Sequence, residues 1–208
     1  MCGIVCAFDL KQKSEDLRPQ LLEMSKRIRH RGPDWSGIYS DEKAILAHER
    51  LAIVDPASGK QPLFSGDKKL ILAANGEIYN HLELRENLKE FNFNTSSDTE
   101  TLLYLYIKYK EKCLDMLDGM FAFSIVNFDT NKIFLSRDRS GKKPLYIYKD
   151  EDSLLYASEL NAIKSGVKEL VIDAESIEAY LRTGFFYDKY TPYKNVQEVD
   201  PGSYYEID

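Results

Sequence analysis

The residues able to do chemistry begin at the second position. Cys2 is separated from the N-terminus by Met1 alone, and loss of Met1, common when the next side chain is small, leaves one residue with both a thiol and a free α-amino group. An α-amino group titrates near ~7.7–8.0 and a thiol near ~8.5, so at neutral pH the amine can take the thiol's proton. The bland alternative is a cysteine that is merely second in a strand. Arg50 ends the triplet His48-Glu49-Arg50, which interrupts the otherwise apolar run 44–54; these are either buried polar groups or a surface bend. Asn75-Gly76-Glu77 follows the apolar run 70–74. A side-chain amide beside a glycine N–H is a pair of donors for a developing oxyanion, or else a simple turn. Asp98 opens a helical pattern after Ser96-Ser97, a position that usually means a cap.

Other chemistry is disfavoured. Three cysteines, Cys2, Cys6 and Cys113, make no disulfide framework, and Cys2 and Cys6 in one strand stand ~13 Å apart, too far to bridge. The three histidines, His30, His48 and His81, lack metal-ligand spacing, so no metal is expected. A net charge of −6 argues against a nucleic-acid partner. The basic run 26–31 reads as a solvated helix end, with a phosphate patch as the alternative. Gly141-Lys142 lacks the other residues of a phosphate loop. No apolar run is long enough for a bilayer, so no membrane partner is expected. The charged segment Lys11-Gln12-Lys13-Ser14-Glu15-Asp16 follows the first strand where a secretory signal would be apolar. The expected compartment is the cytoplasm.

The elements that must position these residues follow from periodicity. Residues 3–8 are apolar at nearly every position and predict a strand covered on both faces. A helix is predicted over 14–29, with Ser14 as N-cap and Leu17, Leu21, Met24 and Ile28 as its apolar stripe. Strands are predicted at 37–39, 44–54 and 70–74, with an exposed loop at 55–62, and helices at 80–89 and from Asp98 to Tyr109. Residues 120–128, 133–139, 145–148 and 154–158 read as an antiparallel meander, with short helices at 159–164 and 174–181. Two sets of strands with helices between and after them predict an α+β protein of two packed antiparallel sheets flanked by helices. The chain stops at Asp208 directly after a strand-like run, which reads as the edge of one domain in a longer polypeptide.

Taken together, the motifs resemble one family. Met1-Cys2-Gly3-Ile4, Arg31-Gly32-Pro33-Asp34, His48-Glu49-Arg50-Leu51-Ala52-Ile53, Asn75-Gly76-Glu77-Ile78-Tyr79-Asn80, Ser97-Asp98-Thr99-Glu100 and Asp118-Gly119-Met120-Phe121-Ala122 are similar, in order, to the glutaminase domain of class II glutamine amidotransferases, and most similar to that of glutamine-hydrolysing asparagine synthetases. The resemblance implies the N-terminal-nucleophile hydrolase fold, a four-layer αββα sandwich, over residues 2–208. It implies Cys2 as nucleophile, Asn75 and Gly76 as the oxyanion donors, Arg50 on the substrate α-carboxylate, Asp98 and Glu77 on its α-ammonium, and backbone near Leu51 and Ile53 against the substrate. Glutamine is then the substrate, and the domain itself needs no cofactor. ATP and Mg are expected only in a C-terminal synthetase domain of the same polypeptide, outside this sequence. A homodimer is among the assemblies open to it.

Two other readings stay open at this level. One keeps the chemistry but changes the acceptor to a sugar acid or another carboxylate. The other is a glutamine-binding module without turnover. The stretch Arg137-Asp138-Arg139-Ser140-Gly141-Lys142-Lys143-Pro144-Leu145-Tyr146 also looks family-like, yet carries no role in either reading.

Overall fold

The computed structural model describes residues 1–8, 13–151 and 154–208. Lys11 and Gln12 of the charged segment lie outside the described residues. In the first strand, β1 (Gly3–Phe8), every residue is buried. Ile4, Cys6 and Phe8 serve one core while Val5 and Ala7 serve another. A strand apolar on both sides must be covered on both sides. Helix α1 (Ser14–Arg27) covers the second side with Leu21 and Met24. The chain continues through β2 (Trp35–Ser40), β3 (Ala44–Arg50), β4 (Leu63–Phe64), β5 (Leu70–Ile78), α2 (His81–Glu86), α3 (Asp98–Tyr109), β6 (Gly119–Asn127) and β7 (Lys132–Arg137). It then forms β8 (Tyr146–Lys149), β9 (Leu154–Ala157), α4 (Leu160–Gly166), α5 (Ala174–Thr183), β10 (Val196–Glu198) and β11 (Tyr204–Ile207).

The strands form a six-stranded sheet, β10-β8-β9-β1-β3-β2, and a five-stranded sheet, β11-β7-β6-β5-β4, antiparallel throughout. Three cores separate four layers. Val5, Ala7, Ile45 and Ala47 pack under Leu21, Met24 and Ile163 of the first helical layer. Ile4, Cys6, Phe8 and Leu46 meet Ile71, Ala73, Ala122 and Leu135 between the sheets. Leu72, Ala74, Phe123 and Phe134 pack against Leu102, Leu105 and Tyr106 of the second helical layer. The predicted αββα sandwich is the observed one.

Some local expectations change. Ser14 is the first helical residue rather than the cap, and Lys13 ahead of it makes no capping side-chain bond. The helix closes at Arg27, and Arg29–Arg31 form a separate 3-10 turn. The meander is divided: β7 pairs with β6 and β11, whereas β8 and β9 belong to the other sheet. Arg137 holds the crossing between sheets, donating to the carbonyls of Lys143 (2.7 Å), Gly141 (2.7 Å) and Val199 (2.6 Å). Among the described residues no helix is long and apolar enough to cross a membrane.

His48 ties the two sheets together at their polar end. It is fully buried on β3 and its Nε2–H donates to the Ala74 carbonyl of β5 at 2.9 Å, a polarity fixed because a carbonyl can only accept. Burial pushes its pKa down from 6.5 to about 4, opposed by the Ala74 bond and assisted by Arg50. The unfolded chain therefore binds this proton first as pH falls, so the stability His48 contributes is complete above about 6.5 and disappears as pH drops towards 4. A shift of this size corresponds to about 3 kcal/mol. Denaturant unfolding followed from pH 7 to pH 4 should show that loss in the native chain and a flatter dependence in His48→Gln; matching slopes would exclude His48 as the titrating group.

Candidate active site

At one end of the inter-sheet core the inward-facing parity turns from apolar to polar. On β3, His48 and Arg50 follow Ala44 and Leu46; on β5, Asn75 and Glu77 follow Ile71 and Ala73; ahead of β1, Cys2 precedes Ile4. Side chains two apart on a strand share a face, so three strands of two sheets aim their last polar residues into one space. The pocket there is lined by all of Cys2, Arg50, Leu51, Ile53, Asn75, Gly76, Glu77 and Asp98, and so brings together every residue singled out from the sequence.

Cys2 is held from several sides. Its carbonyl accepts a 2.9 Å bond from Arg31 Nε, and Arg31 is itself paired with Glu159 at 2.8 Å. Two residues on, the Ile4 N–H donates to Ser158 Oγ and the Ser158 N–H to the Ile4 carbonyl, both at 2.9 Å. The Leu51 N–H approaches Cys2 Sγ at 3.4 Å. Burial raises the thiol pKa above its usual value, with Asp98 adding to the rise; the Leu51 N–H, the N-terminal charge and Arg50 pull it back. The thiol is thus kept protonated unless a base is placed beside it.

Arg50, 4% exposed, donates to three main-chain carbonyls: Val54 (2.9 Å), Asp55 (2.7 Å) and Pro56 (3.3 Å). No carboxylate neutralises it among the described residues. A guanidinium fixed by dipoles alone keeps its charge for a ligand carboxylate. The loop expected to be merely exposed is built around this group: β3 stops at Arg50, and Gly59 and Gln61 are buried beneath the turn. Asp55 secures it by accepting from the N–H groups of Ser58 (3.0 Å) and Ser96 (2.8 Å).

Asn75 is completely buried, and among the described residues neither its Oδ1 nor its Nδ2 has a protein partner. Leaving such a group unpaired costs ~1–3 kcal/mol, comparable to the gain from burying one Leu. Gly76 must lack a side chain, because a Cβ there would overlap the Met120 carbonyl on β6. Asp98 is not a helix cap: its Oδ2 accepts from the Ile78 N–H at 2.9 Å, tying α3 to the end of β5 and turning the carboxylate to the pocket. Glu77 and Leu51 are half-buried on the pocket wall, and Ile53 stands exposed at its rim.

Several contributors were not singled out in the sequence. Arg31, read as part of a solvated basic helix end, is the group that fixes the Cys2 carbonyl. Glu49 is buried and accepts from Ser25 (2.6 Å), Ser36 (2.5 Å) and Arg29 (3.0 Å). Gln61 pairs with Ala74 as a strand would, accepting its N–H at 2.7 Å and donating to its carbonyl at 3.3 Å. The signal available for Arg31 was its place directly before Gly32-Pro33-Asp34. That turn presses against β3, with the Asp34 N–H on the Arg50 carbonyl (3.0 Å) and Asp34 Oδ2 accepting from the Ala52 N–H (2.8 Å).

Comparison with known proteins gives the class. The family described as glutamine amidotransferase domain matches residues 1–208. Among curated relatives, asparagine synthetase [glutamine-hydrolyzing] 3 of Arabidopsis thaliana is 46% identical over 172 residues, 82% of this chain. A probable asparagine synthetase [glutamine-hydrolyzing] of Schizosaccharomyces pombe is 48% identical over 167 residues, 78% of this chain. The chain spans about 30% of the length of each. Among solved structures, the glutamine phosphoribosylpyrophosphate amidotransferase of B. subtilis, complexed with ADP and GMP, shares the fold with a TM-score of 0.70 at 23% identity, over 99% of this chain and 47% of that one. A structure described as the allosteric regulatory enzyme of purine biosynthesis gives 0.71 at 24% identity, with the same coverage. The chain belongs to the glutamine amidotransferase domain family.

The site's rigidity can be tested away from its chemistry. A Cβ on Gly32 would overlap the backbone of Glu49 and Arg50, and neither is a flexible group able to move aside. Gly32→Ala should therefore lower unfolding stability by about 1–3 kcal/mol. An unchanged denaturant midpoint would show that this turn does not brace β3.

Proposed function

We propose that this chain hydrolyses glutamine to glutamate and ammonia through a thioester on Cys2, once Met1 has been removed. The observation that carries the reading is the buried Asn75 amide, unpartnered by protein and placed with Gly76 in the pocket that holds the thiol. Its donor suits an oxygen that becomes an anion during reaction.

The steps follow from charge and proton balance. The Cys2 α-amino group takes the thiol proton, directly or through water, as sulfur bonds the side-chain carboxamide carbon of glutamine. The carbonyl oxygen, now an oxyanion, is held by Asn75 Nδ2 and the Gly76 backbone N–H. When the intermediate collapses, the C–N bond breaks and the α-ammonium returns the proton to the leaving ammonia. Water, losing a proton to the same amine, then attacks the thioester; the second oxyanion uses the same donors, and glutamate leaves as the thiol re-forms. Arg50 grips the substrate α-carboxylate with its uncompensated charge, Asp98 and Glu77 take its α-ammonium, and the backbone at Leu51 and Ile53 lines the side-chain path.

The ammonia is proposed to pass to an ATP-dependent synthetase domain C-terminal to residues 2–208 in the same polypeptide, with aspartate as acceptor. Support comes from the names of the relatives and from their length, of which this chain spans about 30%. ATP and Mg belong to that domain in this reading. The cytoplasm is the proposed compartment, where a nucleophilic thiol stays reduced.

Two substitutions test the chemistry. Cys2→Ala, or an uncleavable extension ahead of Cys2, should abolish glutamate production from glutamine; undiminished production in either would end the thioester mechanism. Asn75→Ala should lower kcat about 10²–10³-fold with a much smaller change in KM. A loss confined to KM would assign Asn75 to substrate binding instead.

A further inference from the structure

The stretch from Arg137 to Lys143 carries no role in the steps above, yet it is among the most firmly built parts of the molecule. Asp138, 3% exposed, accepts from the N–H groups of Phe121 (3.2 Å), Ser140 (3.1 Å), Lys142 (3.0 Å) and Lys143 (3.1 Å). Gly141 turns the chain at φ +61°, and Arg137 Nε donates to the Lys143 carbonyl at 2.7 Å. The residue this scaffold presents is Lys143, 4% exposed and on the wall of the Cys2 pocket. Its Nζ lies 2.8 Å from Met1 Sδ. A thioether is a weak acceptor, and among the described residues no carboxylate lies within ion-pair reach of this ammonium. A buried cation is costly without a partner, and among the described residues the side-chain hydrogen-bond partner of this ammonium is Met1, the residue that processing removes.

We propose that Lys143 is a positioning residue that sets the charge state of the processed N-terminus: its ammonium, on the same pocket wall, keeps the Cys2 α-amino group unprotonated at neutral pH. The assignment rests on the glutaminase reading above. Like charges at close range oppose each other's protonation, so a fixed cation favours the amine as free base and the thiol as thiolate. The other groups acting on Lys143 are Glu77 and Asp138, which favour its charge, and Arg31, which opposes it; burial lowers its pKa from 10.5, and a Cys2 thiolate would raise it. Arg50 and Asp98 act on the thiol in opposite senses and are unchanged by substitution at Lys143.

The test compares the Met1-free native chain with Lys143→Met, which keeps much of the shape without charge, and Lys143→Arg, which keeps the charge. The kcat/KM–pH profile for glutamine should move upward by about one pH unit in Lys143→Met, giving about tenfold lower kcat/KM on the acid limb and a similar plateau. Lys143→Arg should restore the native profile. A Lys143→Met profile that is lower but not displaced would overturn the assignment and leave Lys143 a structural residue. The pH dependence of Cys2 alkylation by iodoacetamide, read by intact mass on the same three chains, gives a second measure independent of turnover. It should show the same upward displacement, and coincident curves would also overturn the proposal. A native chain that alkylates normally but releases no glutamate would sink the glutaminase reading, with the alkylation comparison still deciding Lys143.

Discussion

With Met1 in place the nitrogen of Cys2 is an amide, and an amide is no base. The thiol beside it is pushed towards its protonated form by burial, and that amide nitrogen cannot take its proton. The rest of the site depends on that constraint. In the proposed mechanism the nucleophile must be at the very start of the chain, where a free amine can exist, yet chain ends are ordinarily the least ordered part of a protein. The fold meets the conflict by running β1 through the centre of the six-stranded sheet and by fastening its first residues through Arg31, Ser158 and Glu159.

The polar groups of the pocket are held where they lose rather than gain stability. Among the described residues, Asn75 is buried without a protein partner and Arg50 without a counter-charge. Each is supported by a shell that does pair: Gln61 and His48 both on Ala74, next to Asn75, and the carbonyls of Val54, Asp55 and Pro56 around Arg50. The inter-sheet core, with Ile4, Phe8, Leu46 and Ile71, supplies the apolar burial that offsets them. Activity of the kind proposed uses the unpaired groups, and stability comes from the residues behind them.

Much of this is legible in the sequence. The run 3–8 demanded cover on both faces and received it, and the order of motifs pointed to a four-layer sandwich and to eight residues that share one pocket. What escaped had a common cause, namely long-range pairing that leaves no local period. Arg31 looked like a helix-end cation because its partners, Cys2 and Glu159, lie 29 and 128 residues away. Asp98 looked like a cap because its true partner, the Ile78 N–H, belongs to the end of strand β5, 20 residues earlier. The loop after Arg50 looked merely polar because carbonyls that wrap a guanidinium have no side-chain signature. The meander failed because hairpin patterns say which strands are sequential but not which sheet they join, and Arg137 moves the chain from one sheet to the other.

The central claim is that thiol and α-amine act as one unit on Cys2. It is met most directly by intact-mass analysis after incubation with a glutamine analogue that carries an electrophilic diazoketone in place of the side-chain amide. The account predicts a single adduct, mapped to Cys2, on chains that have lost Met1, with protection by glutamine. Equal labelling of chains that retain Met1, or an adduct on Cys6 or Cys113, would contradict it.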